Sequence, residues 1–157
     1  MSGATHTEQV GCPALAPLTP LVGREGAVEA ARRLLLREDV RLLTLIGPPG
    51  VGKTRLAQAL AARVVRDFAG GVHLVPLASV TEATLVLPTL ARALGVVEAA
   101  DLPLSERLRL CLRGARRLLI LDNFEQLLPA AAEVAGLLAA CPDLRVAATS
   151  RAPAGAR

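Results

Sequence analysis

An apolar run, Leu42 to Ile46, leads into Gly47-Pro48-Pro49-Gly50-Val51-Gly52-Lys53-Thr54, and a helical pattern begins directly behind it. This passage constrains the chain more than any other. Gly50 and Gly52 let the backbone curl so that successive N–H groups converge on an anion. The following helix adds the positive end of its dipole. The octapeptide fits G-x-x-x-x-G-K-[ST], a phosphate-binding loop pattern that works only between a strand and a helix. Lys53 is the only lysine among 18 basic residues. A compact ammonium on a flexible stem reaches between phosphates where a planar guanidinium does not. A chain that otherwise uses arginine therefore keeps lysine where its chemistry is needed. Gly47, Pro48, Pro49, Gly50, Val51, Gly52, Lys53, Thr54 and Arg55 are expected to surround the phosphates of a nucleotide. Lys53 would neutralise the β- and γ-phosphates, and the Thr54 hydroxyl would ligate Mg²⁺. A plain glycine turn between strand and helix is the rival reading.

The rest of the chain repeats the same alternation. The segment Leu21-Val22-Gly23-Arg24-Glu25 is expected to open a helix running to about Arg37, with Val28, Ala31, Leu34 and Leu35 on one face, and a second is expected from Lys53 to Phe68, with Leu56, Leu60, Val64 and Phe68 towards a sheet. Gly70-Gly71 ends the second. Further helices are expected over 82–94, with Pro88 kinking or delaying it, over 104–112, and over 125–140 with a break at Pro129. Leu42 to Ile46, Val72 to Leu77, Arg117 to Leu121 and Leu144 to Ala148 read as strands. The first is expected to be buried on both faces. Strands alternating with helices predict an α/β fold of three layers with a parallel sheet and right-handed crossovers, a P-loop NTPase arrangement that stops after the fourth strand. Ligands of such sheets sit at the carboxyl ends of the strands. Residues 1–19 are polar and Pro-punctuated and read as a disordered leader, with the domain proper over 20–157.

Composition removes several alternatives. With 52% apolar residues the 157-residue chain can bury a core, which Leu, Val, Ile and Ala must build because Phe68 and Phe124 are its only aromatics. The net charge of +4 raises the question of nucleic acid, but the arginines are scattered and no aromatics are available to stack on bases, so direct DNA contact by this segment is not expected. Cys12, Cys111 and Cys141 form no metal or disulfide pattern. No signal peptide or bilayer-spanning run is recognisable, and the reading is cytoplasmic.

Two further strand ends carry polar chemistry. Leu118-Leu119-Ile120-Leu121-Asp122 ends in a carboxylate that could hold Mg²⁺ through its water shell or cap the next helix. The next residue, Asn123, cannot take a proton from water. Glu125 is the nearest alternative base, or else a carboxylate favoured by a helix dipole. The last strand ends in Thr149-Ser150-Arg151. If it lies beside the loop-bearing strand, it delivers Arg151 towards a γ-phosphate; otherwise Arg151 is a solvated surface group.

Leu21-Val22-Gly23-Arg24-Glu25, the glycine-rich loop, Leu119-Ile120-Leu121-Asp122-Asn123-Phe124-Glu125 and Ala148-Thr149-Ser150-Arg151-Ala152-Pro153 occur in order and at a spacing that resembles the STAND class of AAA+-related ATPases. The likeness is greatest to the NB-ARC-like ATPase domains of large bacterial transcriptional regulators with tetratricopeptide repeats. It implies that Val22, Gly23 and Arg24 contact adenine, that Asp122 is the Mg²⁺ aspartate and that Arg151 is a sensor of the third phosphate. It also implies ATP or ADP with Mg²⁺, a switch in which ADP holds a closed state and ATP exchange opens it, and homo-oligomerisation of the full-length protein. The family continues with a fifth strand, a helical lid and a winged helix; the fifth strand normally flanks the loop-bearing strand, which is therefore expected to be a sheet edge here, and hydrolysis is expected to be slow and to need the full-length context. Two other functions stay open: a nucleotide-binding interaction module or inactive fragment without turnover, and a P-loop small-molecule kinase.

Overall fold

The computed structural model describes residues 25–46 and 52–150. Nine elements of regular structure alternate along them: α1 (Glu25–Leu36), β1 (Leu42–Ile46), α2 (Lys53–Val64), β2 (Gly71–Pro76), α3 (Val86–Leu94), α4 (Leu104–Leu112), β3 (Arg117–Asp122), α5 (Ala131–Ala140) and β4 (Leu144–Ser150). Short 3₁₀ turns extend α2 (Val65–Asp67), precede α3 (Ala83–Leu85) and precede α5 (Phe124–Ala130).

The four strands form one sheet in the order β1-β4-β3-β2. All three pairings are parallel, with Leu42 against Val146, Leu118 against Arg145 and Val72 against Leu118 at corresponding points. The chain therefore crosses the whole sheet after β1 and returns strand by strand. β4 is inserted between β1 and β3.

Alternation of side chains along the central strands divides the core in two. Leu118, Ile120 and Ala147 face one way and meet Leu35, Leu56, Leu60, Val64 and Phe68 of the α1–α2 side. Leu119, Leu121, Val146 and Ala148 face the other way and meet Leu90, Leu108, Leu112, Val134 and Leu137 of α3, α4 and α5. Three layers result, as the sequence predicts. Arginines close several helix ends: Arg41 donates to the carbonyls of Leu138 and Cys141, Arg113 to Ala140 O, and Arg116 to Leu36 O while lying over the Phe68 ring. Cations at helix C-termini satisfy carbonyls that lack an intrahelical partner. Part of the basic charge therefore has a structural use.

Two expectations need correction. β1 is not buried on both faces. It is an edge of the described sheet, with Leu42 and Ile46 each 51% exposed, and only Leu43 and Leu45 pack towards the α1–α2 cluster. Leu34 is 38% exposed because the buried stripe of α1 runs through Val28, Ala31 and Leu35 and leaves Leu34 at its margin. The helical stretch over 125–140 is interrupted, as expected. The 3₁₀ segment Phe124–Ala130 contains Pro129, and Leu127 within it is non-helical (φ −119°, ψ 24°), so α5 starts only at Ala131. The proline supports the expected break, since it lacks an N–H donor. Pro88 likewise sits in the first turn of α3, where its ring is tolerated, and the helix starts later than position 82.

Candidate functional site at the carboxyl ends of the strands

Gly52 enters α2 with φ 81° and ψ 34°, a left-handed conformation that glycine adopts without steric cost. Its carbonyl accepts the Leu56 N–H at 2.9 Å, which closes the first helical turn. No acidic side chain lies in that turn, and among the described residues no side chain caps it. The positive end of the helix dipole is thus not offset from within α2. Lys53 is the first helical residue and half-buried; Thr54 and Arg55 follow and are exposed.

Asp122 ends β3 and is 5% exposed. Side-chain parity sets it on the same side of the sheet as Leu118 and Ile120, beneath α2. Its carboxylate is held at both oxygens. Thr54 Oγ1 donates to Oδ2 at 2.8 Å, and Thr149 Oγ1 donates to Oδ1 at 2.6 Å. β1 and β3 are separated by β4, hence by about 10 Å at the usual inter-strand spacing. The start of α2 therefore has to lean across β4 for Thr54 to reach Asp122. Thr149 sits on that intervening strand, paired with Leu45 of β1.

Asn123 follows in a left-handed conformation (φ 65°), the only non-glycine with positive φ among the described residues. Its N–H is bonded to Thr149 Oγ1 at 2.8 Å. Glu125 opens the 3₁₀ segment and is half-buried. The last strand does adjoin the loop-bearing strand, the condition on which the reading of Arg151 depended: Ile46 pairs with Ser150 at the ends of β1 and β4. Val22, Gly23, Arg24, Gly47, Pro48, Pro49, Gly50, Val51 and Arg151, all named from sequence, lie outside the described residues. Thr149 was not singled out from sequence. The signal for it is the parity of β4, which turns positions 145, 147 and 149 to the α2 side, but that requires the order and register of the sheet.

Thr54 and Asp122 suit a Mg²⁺ ion on chemical grounds. They offer hard oxygen donors, and the carboxylate is oriented by hydrogen bonds at a buried strand end. Among the described residues no group of three or more His, Cys, Asp or Glu side chains could hold a metal by itself. A hydroxyl and one carboxylate make a partial ligand set, of the kind Mg²⁺ uses when phosphate oxygens and water complete its octahedron.

Comparison with known proteins agrees with this architecture. Residues 36–153 match the AAA domain family. The chain is 46% identical over 125 residues to a Mycobacterium tuberculosis protein bearing the name of an HTH-type transcriptional regulator; the match covers 78% of this chain and 14% of that protein. It is 40% identical over 134 residues to an uncharacterized protein of the same organism, covering 85% of this chain and 34% of that one. The chain thus spans a minor part of the relatives it matches. Among solved structures, Cdc6p of Pyrobaculum aerophilum superposes with a TM-score of 0.64 at 21% identity, covering 89% of this chain and 42% of that one. The ORC2 protein of Aeropyrum pernix, solved as ADPNP and ADP complexes, gives 0.62 at 19% identity, covering 88% and 44%. At such identities these likenesses speak for the fold alone, an α/β arrangement of the P-loop NTPase kind. The chain belongs to the AAA domain family. No helix among the described residues is long and apolar enough to cross a membrane.

Proposed function

We propose that this chain is the ATP- and Mg²⁺-binding switch domain of a STAND-type signalling ATPase, the nucleotide-handling part of a larger transcriptional regulator. The observation that carries the reading is the hydrogen bond from Thr54 to Asp122, at the strand ends and directly behind a left-handed Gly52. A helix with no acidic residue in its own first turn, a lysine at its first position and a hydroxyl against a buried carboxylate are the parts a polyphosphate site needs. The name of the 46% identical relative supports the regulator.

In this reading Lys53 neutralises the β- and γ-phosphates. Thr54 would give an oxygen lone pair to the cation while its hydroxyl proton stays donated to Asp122 Oδ2. Asp122 holds the cation's water shell. The bound Mg²⁺ supplies charge neutralisation of the phosphate oxygens. Val22, Gly23 and Arg24 contact the base; the backbone of residues 47–52 and Arg55 surround the phosphates; Arg151, one residue beyond β4, reads the third phosphate. Glu125 positions or activates water in the slow hydrolysis of the longer protein. Homo-oligomerisation belongs to that longer protein as well.

Nucleotide titration of the wild-type chain and Lys53→Ala tests the reading. Loss of ATP affinity in the variant is expected; equal affinity in both removes Lys53 from its role, and no binding in either removes the function. A second reading is a nucleotide-binding module without turnover. Asn123 favours it, since a second carboxylate is missing after Asp122 and this residue's N–H is committed to Thr149. Phosphate release at saturating ATP, with Asp122→Ala as the control, separates the two.

A further inference from the structure

Thr149 is wholly buried, yet it is not an apolar core residue. Its hydroxyl accepts the Asn123 N–H at 2.8 Å and donates its single proton to Asp122 Oδ1 at 2.6 Å. The other carboxylate oxygen, Oδ2, accepts from Thr54 at 2.8 Å. Asp122 is thus gripped by two hydroxyls from two elements, one on β4 and one on α2. Both Thr149 and Asp122 lie on the α2 side of the sheet, on adjacent strands whose register sets Leu121 against Ala148 one step earlier.

We propose that Thr149 is a positioning residue for the cation, acting through Asp122. The inference rests on the nucleotide reading above. The terminal torsion of an aspartate is broad and roughly two-fold, so one hydrogen bond leaves the carboxylate free to swing or exchange its oxygens. The hydroxyl of Thr149 pins Oδ1 to the rigid centre of the sheet, and Oδ2 is thereby kept towards Thr54. The same hydroxyl anchors the backbone immediately after Asp122, where the left-handed Asn123 turns the chain out of β3. A hydrogen-bond partner behind a ligating carboxylate fixes its orientation and tunes its basicity, as partners behind metal ligands generally do. Thr149 is also suited by location: β4 is the strand that separates β3 from β1, so its end lies beneath the contact between Thr54 and Asp122.

The alternative is that Thr149 only satisfies a buried carboxylate. The two differ in what a lost hydroxyl changes. A purely structural role lowers stability and nucleotide affinity with and without Mg²⁺ alike. A positioning role affects the Mg²⁺-dependent part. The experiment uses the 157-residue chain and the variants Thr149→Val, which keeps the shape and removes the hydroxyl, and Thr149→Ser, which keeps the hydroxyl. Affinity for ADP and ATP is measured in EDTA and then across a MgCl₂ titration. In Thr149→Val the Mg²⁺ concentration that gives half of the gain in affinity is expected to rise on the order of 10–100-fold. Its affinity in EDTA is expected to stay at the wild-type level, and Thr149→Ser to follow the wild type throughout. A wild-type Mg²⁺ response in Thr149→Val overturns the inference, as does a parallel fall of affinity in EDTA, or a loss in Thr149→Ser equal to that in the valine variant. If Thr149→Val does not fold, Thr149→Cys, with only a weak donor at the same place, carries the same comparison. A wild-type chain that binds no nucleotide overturns the nucleotide reading itself and this inference with it; a wild type that responds to Mg²⁺ beside an unaffected Thr149→Val overturns this inference alone.

Discussion

Thr54 and Asp122 lie 68 positions apart in the chain and 2.8 Å apart in the structure, hydroxyl to carboxylate. No local rule produces that contact. It exists because a helix starting behind β1 leans over β4 to the end of β3. If the pair prepares a cation site, Asp122→Asn and Thr54→Ala each weaken Mg²⁺-dependent nucleotide affinity by on the order of 10–100-fold. Both should leave binding in EDTA much less affected, because the ammonium of Lys53 and the backbone amides remain. Calorimetric titration with and without MgCl₂ checks this. Equal losses under both conditions would mean that the pair holds the loop in shape and has no bearing on the metal.

Gly52 supports a prediction independent of any ligand. A Cβ added there meets none of the described residues within 4 Å, so Gly52→Ala introduces no clash with them. The cost comes from φ 81°, a conformation that L side chains adopt at about 1–2 kcal/mol. The urea midpoint of Gly52→Ala should fall by the corresponding amount at unchanged m. An unchanged midpoint would argue that this helix entry relaxes to negative φ without loss.

How much of this was legible beforehand depends on the range of the interaction. The octapeptide is local, and its strand–loop–helix setting follows from periodicity, so Gly52, Lys53 and Thr54 could be named at once. Asp122 could be named as the end of an apolar strand, but with two roles open, because a strand end capping a helix looks the same in sequence. β1 was legible in part: the resemblance implies its edge position, but an apolar run of five residues reads alike in a central strand and at an edge, so its burial on both faces was expected and only the sheet itself shows that Leu42 and Ile46 are half exposed. Thr149 was hidden more deeply. Its partners Asn123 and Asp122 are brought to it by strand pairing, which the pattern of residues does not specify.

The corrected view of β1 gives a contrast within one sheet. Ile120 is fully buried in β3, against the α1–α2 cluster, whereas Leu42 is 51% exposed at the edge. Ile120→Ala should destabilise by about 2–5 kcal/mol through lost transfer energy and a residual cavity. Leu42→Ala should stay within about 0.5 kcal/mol, as exposed positions usually do. Chemical denaturation of the two variants side by side provides the check. Comparable losses would show that the Leu42 face of β1 is covered in solution.

His73 offers a pH signature. It lies on β2, and burial, reinforced by the nearby Arg117 guanidinium, pushes its imidazole below the ordinary value of 6.5. Its Nε2 has no hydrogen-bond partner among the described residues, and a hydrogen bond to the backbone of Gly70 offsets the desolvation only in part. The sign follows from proton counting. Between the lowered folded pKa and 6.5 the unfolded chain binds more protons at this site than the folded one, so stability increases with pH across that window. The contribution is complete above 6.5 and is lost as pH falls through the folded value. Asp and Glu side chains titrate mainly below about pH 5, which leaves the upper part of the window to histidine. The urea midpoint of the wild type should therefore drop between pH 7.5 and 5.5, and His73→Gln should flatten that drop by removing the group that titrates. Parallel pH profiles for the two proteins would mean that the imidazole at position 73 is as easily protonated folded as unfolded, and that the strand opens enough there to hydrate it.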